Sequence, residues 1–503
     1  MFWALAISAF AVLGSAAVWM GGLNQDEGWY LYAANLVSSG KLPYRDFAYT
    51  QGPVLPIVYS AFADVWRHEG LLGARIFTLA LGALGLLFAL ATTRRLAPEG
   101  KKDAAALVVF LLLGCNLYHL YYVAIPKTYA LASLFVLMGF YLTSISRFAG
   151  AGLALALAAG TRISLGALLA VVGLHLLVSR QWRSLAWFCL GGLGGLALVY
   201  LPFLCDAGAR AGLVAAQRYH AARGGFDVVW SVGSVSRLVR WYLPVFVVSG
   251  LGVLVPGAWC LVSGVSKEVF RPSTKHQALG TSILLWGFLA VFAVQMLAPF
   301  PYEDYQVPVM GLLAVYAAVN FASCGMTSDQ PSDRPTVPAW KLLLVLGLCF
   351  ANSFGSPLLE KWSTNGQDRF WSLKKDKFEL AQLRETAAKI RALDPSGKTL
   401  LTQDLYLAIE TDRKVPNGLE MGPFAILSDA EWRHLLLKTA PDVCAVAALS
   451  GYAFAVDPPV CSERPVEKQM EYWSLLKQNY KLVDRIECFG QNATTLLLLK
   501  RKE

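Results

Sequence analysis

Long apolar runs constrain the fold of this chain more than any other feature. A helix needs about 17 to 25 consecutive apolar residues to cross a bilayer, and runs of this kind recur between residues 2 and 356. The chain is 56% hydrophobic and only 16% charged, whereas soluble domains have about 25% charged residues. The pattern predicts a multi-pass α-helical membrane protein.

We predict about eleven membrane spans from these runs. They are placed at 2–22, 71–93, 104–122, 129–146, 149–161, 164–179, 184–204, 241–264, 278–298, 306–323 and 340–356. The short pair 149–161 and 164–179 is either a tight hairpin or one broken helix, and the choice reverses the orientation of everything after it. Segment 53–66 is too short and proline-interrupted to cross, so we expect an amphipathic helix at the interface.

The basic residues of the loops indicate the orientation. Short loops at 94–102, 180–183 and 267–275 carry clustered lysine and arginine, and the positive-inside rule places such loops in the cytoplasm. Residues 23–70 and the tail then face the periplasm or outside, as in a bacterial inner membrane protein. Segment 205–240 does not fit this orientation, because it falls on the outer side and yet carries five arginines: Arg210, Arg218, Arg223, Arg237 and Arg240. Either the span count slips by one, or these arginines contact an anionic partner.

The composition changes after residue 356, which predicts two domains, 1–356 in the membrane and 357–503 soluble. Alternating helical and strand patterns in the tail predict a small α/β domain, with strands at TLLT, CAVAAL, YKLVDRIECF and ATTLLLLK. Nine scattered cysteines show no CxxC or Cys/His spacing, so zinc and redox sites have no support. The net charge of +10 lies largely in short loops, where it fits anionic headgroups rather than nucleic acid.

Two adjacent carboxylates, Asp26 and Glu27, follow the first span directly. A hydrated loop with aromatic residues at headgroup depth is the plain interpretation of this stretch. A carboxylate held at the bilayer edge is also suited to act as a base, and cations lie nearby in sequence, as a phosphate-bearing substrate requires.

This first loop, NQDEGWYLYAANLVSSGKLPYRDFAYTQGP, resembles the first outer loop of the GT-C membrane glycosyltransferases. EGLLGARIFTLALGALGLLFAL resembles their second helix, and GTRISLG, PFPYEDYQVPVMGLLA and the tail segment LTQDLYLAIETDRKVPNGLEMGPF fit the same family. Within it, the protein O-mannosyltransferase and aminoarabinose-transferase type is the most similar.

The resemblance implies transfer of a sugar, hexosyl or pentosyl, from a polyprenyl-phosphate donor to an acceptor hydroxyl on the outer face. It implies that Asp26 is the base and that Glu27 supports it. The acceptor is a lipid, a glycan or a protein. Candidates for binding the donor phosphate are the cations Lys41, Arg45, Arg75, Lys127 and Arg162. Candidates for lining the substrate cavity are Tyr30, Tyr44, Glu303, Asp304, Tyr305 and Gln306.

One departure from the family pattern concerns Lys127. Many members have a second acid in the next outer loop, where this chain has Ala-Ile-Pro-Lys-Thr-Tyr. This puts a paired-acid or metal-bridged mechanism in doubt and favours Lys127 as a phosphate contact, although a lysine snorkelling at a helix end fits the residue type as well. Glu303 and Asp304 are candidates to supply the missing acid, and a solvated turn is the alternative interpretation. A requirement for Mg²⁺ or Mn²⁺ stays open.

Two other functions use the same features. A transporter or flippase for a lipid-linked sugar would need the cationic cavity but no base; such proteins often contain internal repeats, and none is evident here. A non-catalytic scaffold would bind a partner through the outer domain, and the placement of the charges would then be incidental.

Overall fold

The computed structural model describes residues 1–221, 226–251, 275–298, 301–323, 339–354, 379–425, 427–450, 466–491 and 494–502. The first half of the chain is helical. Its helices are α1 (Phe2–Met20), α2 (Gln25–Ser38), α3 (Val54–Ser60), α4 (Ala63–Leu96), α5 (Lys102–Gly114), α6 (Leu117–Ala124), α7 (Thr128–Ser144), α8 (Phe148–Thr161), α9 (Ala167–Val178) and α10 (Trp182–Cys205). The later helices before the tail are α11 (Ala207–Ala221), α12 (Val228–Trp241), α13 (Lys275–Met296), α14 (Val307–Ser323) and α15 (Ala339–Phe354).

The apolar runs and these helices coincide, but the number of membrane crossings stays a prediction. Four described helical segments are long and apolar enough to cross a membrane, namely α1, α4, α10 and residues 303–323. The pair α5 and α6, bent by 69°, gives a fifth candidate, and five further apolar helices are only 10–17 residues long. Most of the predicted span 241–264 lies outside the described residues.

Gly70 separates the interfacial part of α4 from its apolar part. The predicted interfacial segment 53–66 forms α3 and the first turn of α4. Gly70 has φ +64° and ψ −153° inside α4, a conformation that side chains with a Cβ rarely adopt. The Glu410 carboxylate of the tail accepts a hydrogen bond from the Leu71 amide at 2.9 Å. The apolar part of α4 therefore begins where the tail contacts it.

The tail, as predicted, combines helices with a small sheet. Its helices are α16 (Glu379–Leu393), α17 (Leu405–Thr411), α18 (Asp429–His434), α19 (Ala440–Val443) and α20 (Val466–Asn479), and its strands are β1 (Val446–Leu449), β2 (Tyr480–Phe489) and β3 (Thr494–Arg501). The strands form an antiparallel sheet in the order β1-β3-β2, so the leucine-rich β3 is central and buried. The predicted strand TLLT forms only isolated bridges, such as Leu401 with Ala447.

The tail packs directly on the first loop, residues 23–70. A Cβ at Gly28 would lie 2.2 Å from the Tyr406 amide nitrogen, so only glycine permits this approach of α2 to α17. The Tyr32 hydroxyl accepts a hydrogen bond from the Val415 amide at 2.9 Å. The Glu379 carboxylate accepts one from the Leu23 amide at 2.5 Å. These contacts fix the tail over the N-terminal end of α2.

Candidate functional site

A cavity of about 240 Å³ lies between the first loop, the helix bundle and the tail. Asp26 and Tyr30 of the first loop line it together with Lys127, Arg162 and Asp304 of the bundle. These residues come from four separate parts of the sequence. The remaining lining residues are Asn24, Gln25, Trp29, Thr50, Gln51, Tyr129, Tyr219, Tyr302, Tyr305, Met421, Phe424 and Gln491.

Asp26 lies in the first turn of α2 because this helix has a strong N-terminal cap. The Asn24 side chain accepts a hydrogen bond from the Asp26 amide at 3.1 Å, and the Glu27 side chain accepts one from the Asn24 amide at 2.9 Å. The two bonds form a capping box, which fixes where the helix starts. The Asp26 carboxylate is thereby held at the cavity wall.

Lys127 lies between two carboxylates. Its ammonium nitrogen is 2.9 Å from Asp26 Oδ2 and 3.4 Å from Asp304 Oδ2. The Tyr129 hydroxyl donates to the same Asp304 oxygen at 2.8 Å. Burial opposes the charge of Lys127, but Asp26 and Asp304 more than offset this and hold the pKa of the ammonium above its ordinary value. Lys127 is therefore a charged, paired lysine of the cavity, and not one that extends to the headgroups.

Arg162 supplies a second cation to the cavity. It interrupts the apolar segment after α8 with an extended backbone. Its guanidinium lies 5.0 Å from the ring centre of Tyr129 and 4.6 Å from that of Tyr305, as in cation–π contacts. One terminal nitrogen donates to the Thr128 hydroxyl at 3.0 Å, and Nε has no hydrogen-bond partner among the described residues. The planar group thus keeps a donor for a ligand.

Aromatic residues of α2 form another wall of the cavity. Trp29 stacks on Tyr30 with 4.7 Å between ring centres and meets Phe424 of the tail edge-on at 5.8 Å. Burial, together with the charge of Asp26, raises the pKa of Tyr30 above its ordinary value. Tyr30 therefore stays a neutral hydroxyl beside the base candidate, able to donate a hydrogen bond.

Glu27 and Arg75 lie outside the cavity lining and bind each other. Both side chains are fully buried, and Arg75 contacts the two Glu27 oxygens at 2.7 and 2.8 Å. The other guanidinium hydrogens go to the carbonyls of Val18, Gly21 and Gly22 at 2.8–3.0 Å. This geometry departs from the prediction that Arg75 binds phosphate, because all five of its donors are already used. Glu27 therefore has a structural role, because its pair with Arg75 holds the first loop against the end of α1.

The two cations of the first loop are likewise not among the lining residues. Arg45 pairs with Asp46 at 2.9 Å and with Asp206 at 3.5 Å, and its side chain is 45% exposed. Lys41 is partly buried and also lies away from the described lining. The structure therefore does not bring either residue to the place predicted for the donor phosphate.

Tyr44 lines a smaller cavity of about 40 Å³ next to the main one. Thr50 and Gln51 line both cavities. Tyr44 has φ +67°, an unusual value for a residue with a side chain, and its hydroxyl donates to the Gln51 carbonyl. It therefore positions the turn before Gln51 rather than entering the main cavity.

The loop before α14 contains the remaining predicted cavity residues, and only two of them line the cavity. Asp304 and Tyr305 line the cavity. Glu303 instead pairs with Arg237 at 3.0 Å, which gives one arginine of segment 205–240 an anionic partner within the protein. Gln306 is fully buried outside the described lining, and its amide atoms have no hydrogen-bond partner among the described residues.

Several lining residues escaped the sequence analysis as site residues. Met421, Phe424 and Gln491 come from the tail, and the Gln491 side chain accepts a hydrogen bond from the Gln25 amide at 2.9 Å. Met421 and Phe424 lie in the tail segment that resembles the family, but that resemblance did not mark them as site residues, since their place at the cavity follows from how the tail docks. Tyr129 had a usable signal, because it lies two residues after Lys127 at the start of a span.

The cavity residues do not form a metal-binding set. The described part of the chain contains no group of three or more His, Cys, Asp or Glu side chains arranged to hold an ion. Asp26 and Asp304, the two carboxylates of the cavity, share the Lys127 ammonium. A lysine occupies the place of a bridging cation, so we derive no step through a metal.

The fold is similar to that of the solved ArnT structures. No protein-family model matches the chain, and no curated protein sequence matches it. Among solved structures, apo ArnT from Cupriavidus metallidurans superposes with a TM-score of 0.57 at 13% identity, over 99% of this chain and 97% of that one. ArnT from the same organism bound to undecaprenyl phosphate superposes with a TM-score of 0.53 at 14% identity, over the same shares of the two chains.

These superpositions cover nearly the whole chain, membrane part and tail together. The fold is thus ArnT-like over nearly the whole chain, which confirms the predicted resemblance at the level of the fold. The described residues include four helical segments, or five with the bent pair, that are long and apolar enough to cross a membrane.

Proposed function

We propose that this protein is a glycosyltransferase that moves a sugar from a polyprenyl-phosphate donor to an acceptor hydroxyl, with Asp26 as the general base. The observation that carries the proposal is that one cavity brings together Asp26, Lys127 and Arg162. An acceptor hydroxyl needs a base within hydrogen-bond reach, and a departing phosphate needs positive charge rather than a proton.

The reaction is balanced as follows. The bond between the anomeric carbon and the phosphate oxygen breaks, and the acceptor oxygen bonds to that carbon. The hydroxyl proton passes to Asp26, and the polyprenyl phosphate leaves with the electron pair of the broken bond. Lys127 and Arg162 stabilise the charge that grows on the phosphate. The class of donor is supported by the ArnT structure that holds undecaprenyl phosphate.

We further propose that the cavity and the tail face the outside of the membrane. The short loops 94–102 and 180–183 carry the clustered basic residues, which the positive-inside rule places in the cytoplasm. A protease-protection assay on spheroplasts tests the orientation. Digestion of the tail by external protease is expected, and a fully protected tail would contradict it.

The test of the function is Asp26→Asn in purified protein. Synthetic polyprenyl-phosphate hexose and pentose donors are supplied with an envelope extract as acceptor, and label transfer is measured. The wild type is expected to use at least one donor, and the variant to lose about 10²- to 10⁴-fold in rate. Asp64→Asn is the matched control, because the Asp64 side chain is 82% exposed and pairs only with Arg67 among the described residues.

The same experiment separates transfer from transport. A flippase would move a lipid-linked sugar between the leaflets of a vesicle without forming a glycosylated product, and Asp26→Asn would leave that movement intact. Transfer by Asp26→Asn at the wild-type rate would exclude Asp26 as the base. A chelator is expected to leave turnover unchanged, because no step of this mechanism uses a metal.

A further inference from the structure

Lys127 is paired with the proposed base in the arrangement that the structure shows. Its ammonium is 2.9 Å from Asp26 Oδ2, so it occupies one oxygen of the base. The same contact commits one of the three N–H donors of the ammonium to Asp26. A donor phosphate therefore competes with Asp26 for the positive charge of Lys127 as long as the two remain paired.

Asp304 provides a second attachment for the lysine, longer than the contact with Asp26 but with a carboxylate that is itself anchored. Its Oδ2 accepts a hydrogen bond from the Tyr129 hydroxyl at 2.8 Å and lies 3.4 Å from Lys127. Its Oδ1 is buried at the cavity without a hydrogen-bond partner among the described residues. The Asp304 side chain is 12% exposed, whereas the Asp26 side chain is 22% exposed. A lysine that leaves Asp26 therefore remains paired with the more buried carboxylate.

We propose that Lys127 exchanges Asp26 for the donor phosphate when the donor binds, while Asp304, anchored by Tyr129, keeps hold of the lysine. The inference deepens the proposed function and rests on it. Asp304 is then a positioning residue, and Asp26 becomes free to accept a proton only when a donor is present.

The charges of the cavity support such an exchange. Before the donor enters, the two positive charges of Lys127 and Arg162 balance the two negative charges of Asp26 and Asp304. The donor phosphodiester adds one negative charge and competes with Asp26 for the lysine. During transfer Asp26 takes up a proton while the phosphate gains charge, so the attraction on Lys127 moves toward the phosphate throughout the reaction.

The exchange is tested by the binding of undecaprenyl phosphate to purified protein in nanodiscs, which needs no turnover. Asp26→Asn frees the lysine and is expected to bind about three- to tenfold more tightly. In Asp304→Asn, Asp26 is the remaining carboxylate partner of Lys127 in the cavity. This variant is expected to bind undecaprenyl phosphate about three- to tenfold more weakly. Asp64→Asn is the control, with unchanged affinity expected.

The opposite signs distinguish the exchange from a simple effect of net charge. Either substitution removes one negative charge from the cavity, so simple electrostatics predicts tighter binding for both. Equal tightening in the two variants would overturn the proposal. Tyr129→Phe changes no charge and keeps the ring, yet it releases Asp304. It is expected to weaken binding about two- to threefold, and unchanged affinity would also count against the exchange.

The failures of the two proposals are distinguishable. A wild type that binds undecaprenyl phosphate with the predicted order of variants but transfers no sugar would contradict the proposed function alone. A wild type that transfers sugar while Asp26→Asn binds the carrier no more tightly would contradict the exchange alone. Thermal unfolding of each variant verifies that it is folded.

Discussion

The buried pair of Glu27 and Arg75 gives the sharpest prediction about stability. Glu27→Gln keeps the shape of the side chain but removes its charge, and its new NH₂ group faces the Arg75 donors. Both side chains are fully buried, and no water can replace the lost partner. Breaking a pair of this kind costs about 3–5 kcal/mol, because one charge stays buried without compensation.

The expected change in melting temperature follows from the size of the chain. Unfolding entropy is about 2 cal/mol/K per residue, which gives about 1 kcal/mol/K for 503 residues. Glu27→Gln should therefore lower Tm by about 3–5 °C in a thermal-unfolding assay in detergent. Asp64→Asn, which breaks a pair in which the Asp64 side chain is 82% exposed, should leave Tm unchanged.

A second readout separates structure from chemistry in the same variant. Glu27 also caps α2 through the Asn24 amide, so Asp26 shifts when the cap is lost and transfer should fall together with Tm. If Glu27→Gln melts at the wild-type temperature, the pair does not hold the loop, and the reasoning is refuted. Wild-type stability with lost transfer would instead return Glu27 to the chemistry of the site.

Three further predictions concern the cavity and the tail. Arg162→Lys keeps the charge but loses the planar contact with Tyr129, so the donor KM should rise about tenfold with little change in kcat in a steady-state assay; an unchanged KM would contradict phosphate binding there. Gly28→Ala places a Cβ 2.2 Å from the Tyr406 amide nitrogen, and limited proteolysis should show a loosened tail and reduced transfer. Burial raises the pKa of Asp404 to about 6 from its ordinary value of 3.8. The folded state therefore binds this proton more tightly than the unfolded state, and the free energy of unfolding falls by up to about 3 kcal/mol as the pH rises from 4 to above 6. Asp404→Asn should flatten the fall of Tm between about pH 4 and 6.5, and an unchanged slope would exclude this carboxyl as its cause.

Local signals in the sequence pointed to several residues that the structure places together. Asp26 and Glu27 stood out because they follow the first apolar run, the family resemblance favoured Asp26 as the base, and the structure places Asp26 in the cavity lining. Lys127 and Arg162 were noted as charges next to apolar segments, and such charges usually face a bundle interior. The structure places both in the same cavity as Asp26.

The partners of these charges were not predictable in the same way. Lys127 and Asp304 are 177 positions apart in the chain, and the residues around Asp304 fit a solvated turn as well as a site. Arg75 was a candidate for phosphate because an arginine inside a span needs an anion, but that anion is Glu27, 48 positions away. The Asn-x-x-Glu pattern of a capping box at Asn24 was the local sign that Glu27 has a structural task.

The sequence by itself determined most helices, the position of the first loop in the chain and the presence of strands in the tail, because apolar runs, caps and turns act over a few neighbouring residues. Only the tertiary structure decided which charges meet. A buried ionised group is stable only beside an opposite charge, so packing selected Glu27 for Arg75 and left Asp26, Asp304 and Lys127 together at the cavity. Composition and spacing contain no trace of that selection, since it depends on which of several carboxylates the folded chain brings within about 4 Å.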